Sequence, residues 1–340
     1  MPQLNEPKKI VTIGGGSGTP VINQALLLSG VKRITSIVTV MDSGGITGRM
    51  RTDSQGQEIA YSDSLRTLLS LIPPHLQGSQ KVKTLKTLLR SRNARSEDLG
   101  YTIFSHFYHQ ENGFGEIKQI LESLTGIHFL GEVIPVTLNS THLAFETSQG
   151  IVYKGEHELD DKRMSADSVT KIWLEPQVKA SPQALAAIKS ADFIIFSCGS
   201  LHGSILVNLL PEGIKPALKT GKAKKIYMTN LVSSRNETHN FTPADFIRLF
   251  KKYTAIPKPI DILIVPELSR NQFESLYPEV AYRYSLEQSH FLGWEKETLA
   301  TTKKLGVNVI THTATTIDPI LKRIRHDPKE LSSTFQKILV

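Results

Sequence analysis

Cysteine is nearly absent from this chain, since Cys198 is the only one in 340 residues. A single cysteine cannot close an internal disulfide, and without companion thiols at ligand spacing a structural zinc site is not expected. Cys198 ends an apolar stretch and has no histidine paired with it in sequence, which favours packing over a nucleophilic role. We therefore expect neither redox chemistry nor cysteine catalysis.

Long apolar runs and a leader segment are also lacking. The run Phe193 to Cys198 is far shorter than the roughly 20 residues that cross a bilayer, and no basic segment followed by an apolar one opens the chain. We expect a cytoplasmic protein with no membrane span. Lysine and arginine exceed aspartate and glutamate by 40 to 32, an excess that fits an anionic ligand and equally an inert basic surface.

Strand-like patterns recur along the chain, most of them separated by helix-like stretches. They are Lys9 to Ile13, Ile34 to Met41, Phe129 to Thr137, Phe193 to Cys198, Lys225 to Asn230, Ile262 to Val265 and Val307 to Thr311. This alternation predicts a three-layer, Rossmann-like, doubly wound α/β fold, with a mainly parallel sheet covered by helices on both faces. We expect one domain over residues 1–340.

Capping residues followed by proline predict several helix starts, because proline suits the first turn of a helix. These starts are at Thr19-Pro20, Ser181-Pro182, Thr242-Pro243 and Asp327-Pro328. The segments Leu143–Phe145 and Ile151–Tyr153 flank a polar turn and predict a small antiparallel hairpin. We expect residues 81–176, which open with a basic helix over Lys81 to Arg95, to form a lid or subdomain.

A glycine-rich turn follows the first predicted strand. Gly14-Gly15-Gly16-Ser17-Gly18 runs straight into the helix that starts near Thr19, so backbone N–H groups and the positive end of the helix dipole face one point. Glycines also permit a tight turn and a close approach of phosphate to the backbone. The pattern predicts a phosphate-binding turn.

Two residues of familiar nucleotide-binding loops are missing beyond that turn. A P-loop needs a lysine and a serine or threonine after its last glycine, whereas Gly18 is followed by Thr19-Pro20. A dinucleotide fingerprint places its third glycine where Thr19 stands, although Asp42 could bind a ribose hydroxyl. A P-loop NTPase is disfavoured, and a dehydrogenase stays open as an alternative.

Two further turns follow strands and should meet the first, because the carboxyl ends of parallel strands share one edge of a sheet. The second turn contains Asp42, Ser43, Gly44, Gly45, Thr47, Arg49 and Arg51. Its arginines could neutralise phosphates, and its aspartate could bind a hydroxyl or Mg²⁺. The third turn, Gly199-Ser200-Leu201, precedes a helix-like stretch and predicts another wall of the same crevice.

His106 and His109 are spaced to share a helix face, as metal ligands can be. No third ligand nearby in sequence indicates a metal site, so one is not expected there.

Together these motifs resemble the family that joins the bacterial gluconeogenesis factor with the archaeal 2-phospho-L-lactate transferase. The resemblance rests on Val11–Gly18, Val38–Gly45, Gly199–Leu201 with Ser204–Leu206, Lys224–Asn230, Glu237-Thr238 and Arg325–Pro328, which span nearly the whole chain. Gly44–Arg49 and Arg325–Pro328 are similar to the gluconeogenesis-factor branch. That branch implies a UDP-sugar-binding protein needed for growth on gluconeogenic carbon and for cell shape.

The resemblance implies a nucleoside diphosphate-sugar ligand, Mg²⁺ as a further cofactor, and a homo-oligomer, expected to be a dimer. It adds Asp63, Arg66, Asn230, Glu237 and Thr238 to the site, and it makes Asp42 and Asp63 the candidate metal ligands. The sequence departs from the family pattern at Ser43, Ser62, Tyr101, Cys198 and Asn236. These departures bear on base and sugar preference, because polar groups around the phosphates set it.

Three functions therefore stay open. The first is a regulatory or scaffolding protein that binds a nucleotide sugar through the first two turns. The second is a transferase like 2-phospho-L-lactate transferase, in which Mg²⁺ neutralises a diphosphate leaving group while a substrate hydroxyl attacks. The third, a nucleotide-dependent oxidoreductase, rests on fold alone. The sequence assigns no catalytic residue, and nucleic acid is not an expected partner.

Overall fold

A seven-stranded parallel sheet forms the centre of the protein. The computed structural model describes residues 7–44, 47–48, 59–93, 98–107, 113–160, 167–318 and 321–339. The central strands are β1 (Ile10–Gly14), β2 (Ile34–Val38), β3 (Gly131–Pro135), β7 (Phe193–Phe196), β8 (Lys224–Met228), β9 (Ile262–Pro266) and β10 (Asn308–His312). Every pair is parallel, in the order β10-β9-β8-β7-β1-β2-β3. Each predicted strand has its counterpart, which confirms the predicted sheet.

Several predicted strands continue two or three residues past the observed carboxyl ends. The strand predicted over Ile34 to Met41 ends at Val38, yet Val40 and Met41 remain buried. Thr39 donates its N–H to the Gly14 carbonyl at 2.9 Å, and beyond it the ladder stops. An apolar run therefore marks burial at these ends, where the chain passes from the sheet into buried turns.

Helices flank the sheet in the manner of a doubly wound fold. They are α1 (Gly18–Leu28), α2 (Ser62–Ser70), α3 (Gln80–Leu89), α4 (Leu99–Phe107), α5 (Gly113–Thr125), α6 (Pro182–Ser190), α7 (Ile214–Thr220), α8 (Pro243–Thr254), α9 (Arg270–Leu276), α10 (Pro278–Leu286), α11 (Lys296–Lys303) and α12 (Pro328–Ile338). Helix α1 packs against α2 and α12, whereas α6, α7 and α8 pack in series. Right-handed crossovers that run from β1 towards β3 place their helices on one face of the sheet, and those that run from β7 towards β10 place theirs on the opposite face. The sheet therefore lies between two helical layers.

A small antiparallel sheet stands apart from the central one. It contains β4 (His142–Thr147), β5 (Val152–Lys154) and β6 (Val169–Glu175), in the order β5-β4-β6, and its β4–β5 pair confirms the predicted hairpin. The Ile172 N–H donates to the Tyr253 hydroxyl of α8 at 3.0 Å, which attaches this sheet to the helical layer. A further antiparallel pair, β11 (Thr315–Ile317) and β12 (Ile324–His326), was not predicted.

The helix starts predicted from proline are confirmed at Ser181, Thr242 and Asp327, each of which directly precedes its helix. Helix α1 instead begins at Gly18, one residue before the predicted cap. The Thr19 hydroxyl is hydrogen-bonded elsewhere, to the Gly15 carbonyl and the Ser197 hydroxyl. The basic helix predicted over Lys81 to Arg95 ends at Leu89. Among the described helices, none is long and apolar enough to cross a membrane.

Candidate functional site

The point where the sheet reverses its strand order lies between β1 and β7. From β1 the chain continues to β2 and β3 on one side, and from β7 to β8, β9 and β10 on the other. The turns that leave these two strands therefore diverge, which opens a crevice at the carboxyl edge of the sheet. The first turn, Gly14 to Gly18, forms one central wall. The third turn, Gly199 to Leu201, forms the other, together with Ser197 and Cys198, which lead into it.

Gly14 and Gly18 allow these two walls to touch. A Cβ on Gly18 would lie 1.2 Å from the Cys198 carbonyl oxygen, and one on Gly14 would lie 1.9 Å from the Ser197 hydroxyl oxygen. The Thr19 and Ser197 hydroxyl oxygens are 2.7 Å apart. Packing between the walls therefore requires glycine at Gly18, where the close atom is backbone, whereas at Gly14 the close atoms belong to the Ser197 and Thr19 side chains.

Gly16 is different, because its Cα faces open space. A Cβ there would have the Ser204 hydroxyl oxygen at 3.5 Å and no other atom within 4 Å. Its φ of +62° lies in the left-handed region, which favours glycine. By contrast, a Cβ on Gly15 would meet Thr39 at 2.5 Å and the Asp63 carboxylate at 2.7 Å. Gly16, together with the exposed Ser17, is thus a point of the first turn that a ligand can reach.

The second turn is built on the Asp42 carboxylate. Asp42 accepts hydrogen bonds from the Gly44 N–H at 2.9 Å and from the Ser62 hydroxyl at 2.8 Å. Ser62 is one of the departures from the family pattern, and this bond to Asp42 gives its hydroxyl a partner within the site. Thr47, a further residue of this turn, is buried. The predicted site residues Gly45, Arg49 and Arg51 lie outside the described residues.

Asp63, in the first turn of α2, binds the first glycine turn. Its Oδ2 accepts the Gly16 N–H at 2.7 Å, and its Oδ1 lies 3.1 Å from the Arg66 guanidinium. Burial raises the pKa of Asp63 and the Asp42 carboxylate adds to that rise, while the Gly16 N–H and Arg66 oppose it. The N–H that the sequence assigned to a phosphate is therefore held by a carboxylate.

Asp42 and Asp63 are the acids from which a metal site would be built. No cluster of three or more histidine, cysteine, aspartate or glutamate side chains suited to a metal occurs in the part of the chain that the structure describes. Mg²⁺ in nucleotide sites commonly uses one or two carboxylates and takes its other ligands from phosphates and water. Asp63, which is hydrogen-bonded to Gly16, and Asp42, whose charge acts on Asp63, fit that pattern.

The third turn is fixed by Glu237. Its carboxylate accepts the Ser200 hydroxyl at 3.0 Å and the His202 N–H at 2.7 Å, and it lies 3.2 Å from His202 Nδ1. The Ser200 oxygen in turn accepts the Gly203 N–H at 3.0 Å. Burial acts to raise the pKa of Glu237, but the bonds from His202 and Ser200 outweigh it and lower the pKa. An ionised, buried acid therefore holds this wall.

The helix-like stretch predicted after Leu201 is a π-helical turn, Leu201–Ile205, followed by a 3₁₀ turn, Leu206–Leu209. Leu201 itself is fully buried. Thr238 is buried as well, and its hydroxyl accepts the Ser234 N–H at 2.9 Å. These two predicted site residues belong to the framework of the crevice.

Asn230, at the end of β8, carries a polar atom without a partner. Its Oδ1 is buried and forms no hydrogen bond within the described part of the chain. A buried amide oxygen left unpaired is costly, so a group that donates to it would be bound favourably. Asn230 is therefore a candidate ligand contact beside the third turn.

A strap of residues Gly155 to Asp160, which the sequence did not predict, links the second turn to the segment that carries Asn236 and Glu237. The Ser43 hydroxyl oxygen lies 2.9 Å from His157 Nδ1 and accepts the His157 N–H at 3.2 Å. At the other end, Asn236 donates to the Leu159 carbonyl at 2.7 Å. Two of the family departures, Ser43 and Asn236, thus serve to attach the strap. No local pattern signals these contacts.

Comparison with known proteins agrees with this architecture. Residues 10–315 match the sequence profile described as 2-phospho-L-lactate transferase CofD. A Listeria innocua protein named Gluconeogenesis factor is 30% identical over 303 residues, covering 84% of this chain and 86% of that protein. A Bacillus subtilis protein of the same name is 27% identical over 342 residues, covering 99% of each.

A solved structure also matches over nearly the whole length. A Bacillus halodurans protein, described as a member of the UPF0052 family, superposes with a TM-score of 0.80 and 24% identity. The match covers 97% of this chain and 98% of the other. It confirms the predicted α/β fold.

Proposed function

Because the chain belongs to the 2-phospho-L-lactate transferase CofD family, we propose that it is a regulatory protein that binds a nucleoside diphosphate-sugar of the UDP-sugar type. The ligand lies in the crevice between the first and third turns, with its diphosphate at Gly16. The exposed face of Gly16, at the switch point of the sheet, is the observation that carries this proposal. Ligands of open α/β sheets bind at such points.

The acids of the crevice determine the form in which a diphosphate binds. Asp42 and Asp63 place negative charge beside Gly16, where phosphate oxygens would repel them. Mg²⁺ bound with the diphosphate would neutralise this repulsion, with the two aspartates as its protein ligands. We therefore propose that the ligand binds as its Mg²⁺ complex and that Arg66 adds positive charge next to Asp63.

Base and sugar are recognised in this proposal by the groups around the diphosphate. The unpaired Asn230 Oδ1 accepts a hydrogen bond from the ligand, and the strap residue His157 lies over the second turn beside Ser43. Ser200 and Glu237 hold the third turn in shape. By analogy with its family, the protein would link cytoplasmic nucleotide-sugar levels to gluconeogenic carbon use and cell shape.

A regulatory role fits the surroundings of Cys198. Burial raises the pKa of its thiol to about 12, so it is protonated at neutral pH and is a poor nucleophile. A second candidate is a Mg²⁺-dependent transferase of phosphorus-containing groups, which the paired acids Asp42 and Asp63 and the family description favour. In that case Mg²⁺ would stabilise charge on the leaving nucleotide.

Thermal unfolding with a ligand panel tests these alternatives. UDP-sugars, GDP, NAD and NADP would each be added with and without Mg²⁺, because a ligand bound only by the folded state raises the melting temperature. We expect a Mg²⁺-dependent rise with UDP-sugars. No rise with UDP-sugars and a large one with NAD would refute the proposal. Release of free nucleotide from a bound donor only when a hydroxyl acceptor is added would favour the transferase.

A further inference from the structure

A second cavity opens at the amino ends of β1 and β2, at the edge of the sheet opposite to the edge where the crevice lies. Its volume is about 670 Å³, within the range of small-molecule pockets. Its apolar lining comes from the start of β1, from the loop before β2, from α6 and from the chain after α12, namely Ile10, Val11, Val31, Ala187 and Leu339. The central sheet separates this cavity from the proposed nucleotide site.

Four cationic side chains line this cavity, although the Asp192 carboxylate accepts the Lys9 N–H at 2.7 Å. Lys8, Lys9, Lys32 and Arg33 line it and are exposed to solvent, and no aspartate or glutamate is among its lining residues. Arg33 is paired with Glu132 at 3.3 Å, and the Lys8 ammonium donates to the Leu339 carbonyl. Lys9 and Lys32 form no ion pair within the described residues. Two cations are thus available beside an apolar interior.

We propose that this cavity binds a long-chain amphiphile with an anionic head group. Its hydrocarbon chain packs against Ile10, Val11 and Ala187, and the anionic head group, carboxylate or phosphate, lies between Lys9 and Lys32. The apolar interior would bind the hydrocarbon chain of the ligand, and the unpaired ammonium groups would bind its anionic head group. Each part of the ligand is thus supported by a separate observation.

Calorimetric titration of the full chain with laurate and with dodecyl phosphate, both below their micelle concentrations, tests this proposal and distinguishes the two head groups. Octanoate should bind more weakly than laurate, by about fourfold for each CH₂ that the longer chain buries. Dodecanol, which lacks the charge, should bind at least tenfold more weakly than laurate. Nucleotide is left out, so the result is independent of the crevice.

Two variants locate the ligand. The double variant Lys9→Glu/Lys32→Glu should weaken binding at least tenfold, whereas Lys303→Glu/Lys304→Glu, the same charge change at exposed positions outside the cavity, should not. Ala187→Trp should abolish binding by filling the cavity. Absence of saturable binding of both anions would overturn the proposal, and so would equal affinity in the two charge variants. If Ala187→Trp fails to fold, the charge variants alone decide.

Discussion

Gly16 and Gly18 belong to one turn but are glycines for different reasons. At Gly18, a Cβ would overlap the Cys198 backbone at 1.2 Å, so Gly18→Ala should separate the walls of the crevice. At Gly16, a Cβ meets no backbone, and alanine there should cost only about 1–2 kcal/mol for the left-handed conformation. The added methyl group would, however, stand where we place the diphosphate.

The pair of variants therefore separates folding from binding. We expect Gly16→Ala to keep its cooperative unfolding and lose at least tenfold in nucleotide affinity, and Gly18→Ala to lose several kcal/mol of unfolding free energy. Urea unfolding and equilibrium binding measure the two effects. If Gly18→Ala folded like the parent protein, the contact between the walls would be wrong.

Glu237 provides a second test at the residue scale. Glu237→Gln replaces the carboxylate that accepts the His202 N–H and the Ser200 hydroxyl with a neutral amide. Hydrogen bonds to a charged acceptor are stronger than those to a neutral one, so the unfolding free energy should fall by about 1–3 kcal/mol. Urea unfolding measures the loss, with exposed Glu297→Gln as the matched control. A loss equal to that of the control would contradict the role of Glu237.

Among the elements of the fold, the strap Gly155 to Asp160 is the one whose contacts decide how the crevice is closed. Ser43 and His157 are 114 positions apart and bond through a side chain and a backbone N–H. A double-mutant cycle with Ser43→Ala and His157→Ala should show a coupling of about 0.5–1 kcal/mol in nucleotide binding. The pair Ser43→Ala and exposed His75→Ala should show none. Additive effects in both pairs would mean that the strap does not act on the second turn.

Sequence patterns predicted which strands form the sheet better than they predicted where each strand ends. Apolar runs located β1, β2 and β7, but the run of β2 overran the strand end because Val40 and Met41 stay buried after pairing stops. The hairpin of β11 and β12 is only three residues long on each side, too short for a periodic signal.

The site was predictable only as far as it lies on sheet-edge turns. The first and third turns follow strands, so topology brings them together. The Asp63 bond to Gly16, the Glu237 bond to Ser200 and the strap depend on tertiary placement across 37 to 114 positions. Such contacts leave no local spacing in the sequence, and for the same reason His202 and His157 were not identified.

At the scale of the whole molecule, acid stability depends on His312 and His326. Their rings are 5.3 Å apart and both are buried. Neither ring nitrogen of His312 has a hydrogen-bond partner in the described residues, whereas the Thr229 backbone acts on His326 and opposes the fall of its pKa. Burial lowers the pKa of His312 to about 4; burial, with His312 adding to it, lowers that of His326 to about 3. Both imidazoles are therefore neutral in the folded protein at neutral pH.

Folding stability should fall as the pH drops below about 6.5, because the unfolded chain then binds protons that the folded chain does not. Each imidazole contributes a slope of up to about 1.4 kcal/mol per pH unit between its folded pKa and 6.5. Urea unfolding from pH 7.5 to 4.5 should show this loss, and His312→Phe/His326→Phe should show a flatter profile. His290, whose pKa burial also lowers to about 4, keeps part of the slope in the variant. Equal slopes in the two proteins would contradict the account.

Nucleotide binding at Gly16 is the central claim, and calorimetric titration of a UDP-sugar with Mg²⁺ into the parent protein and into Gly16→Ala tests it most directly. We predict saturable, Mg²⁺-dependent binding by the parent protein and at least a tenfold loss in Gly16→Ala, with both proteins folded at the temperature of the titration. Equal affinity in the two folded proteins, or no binding by the parent protein, would contradict the claim.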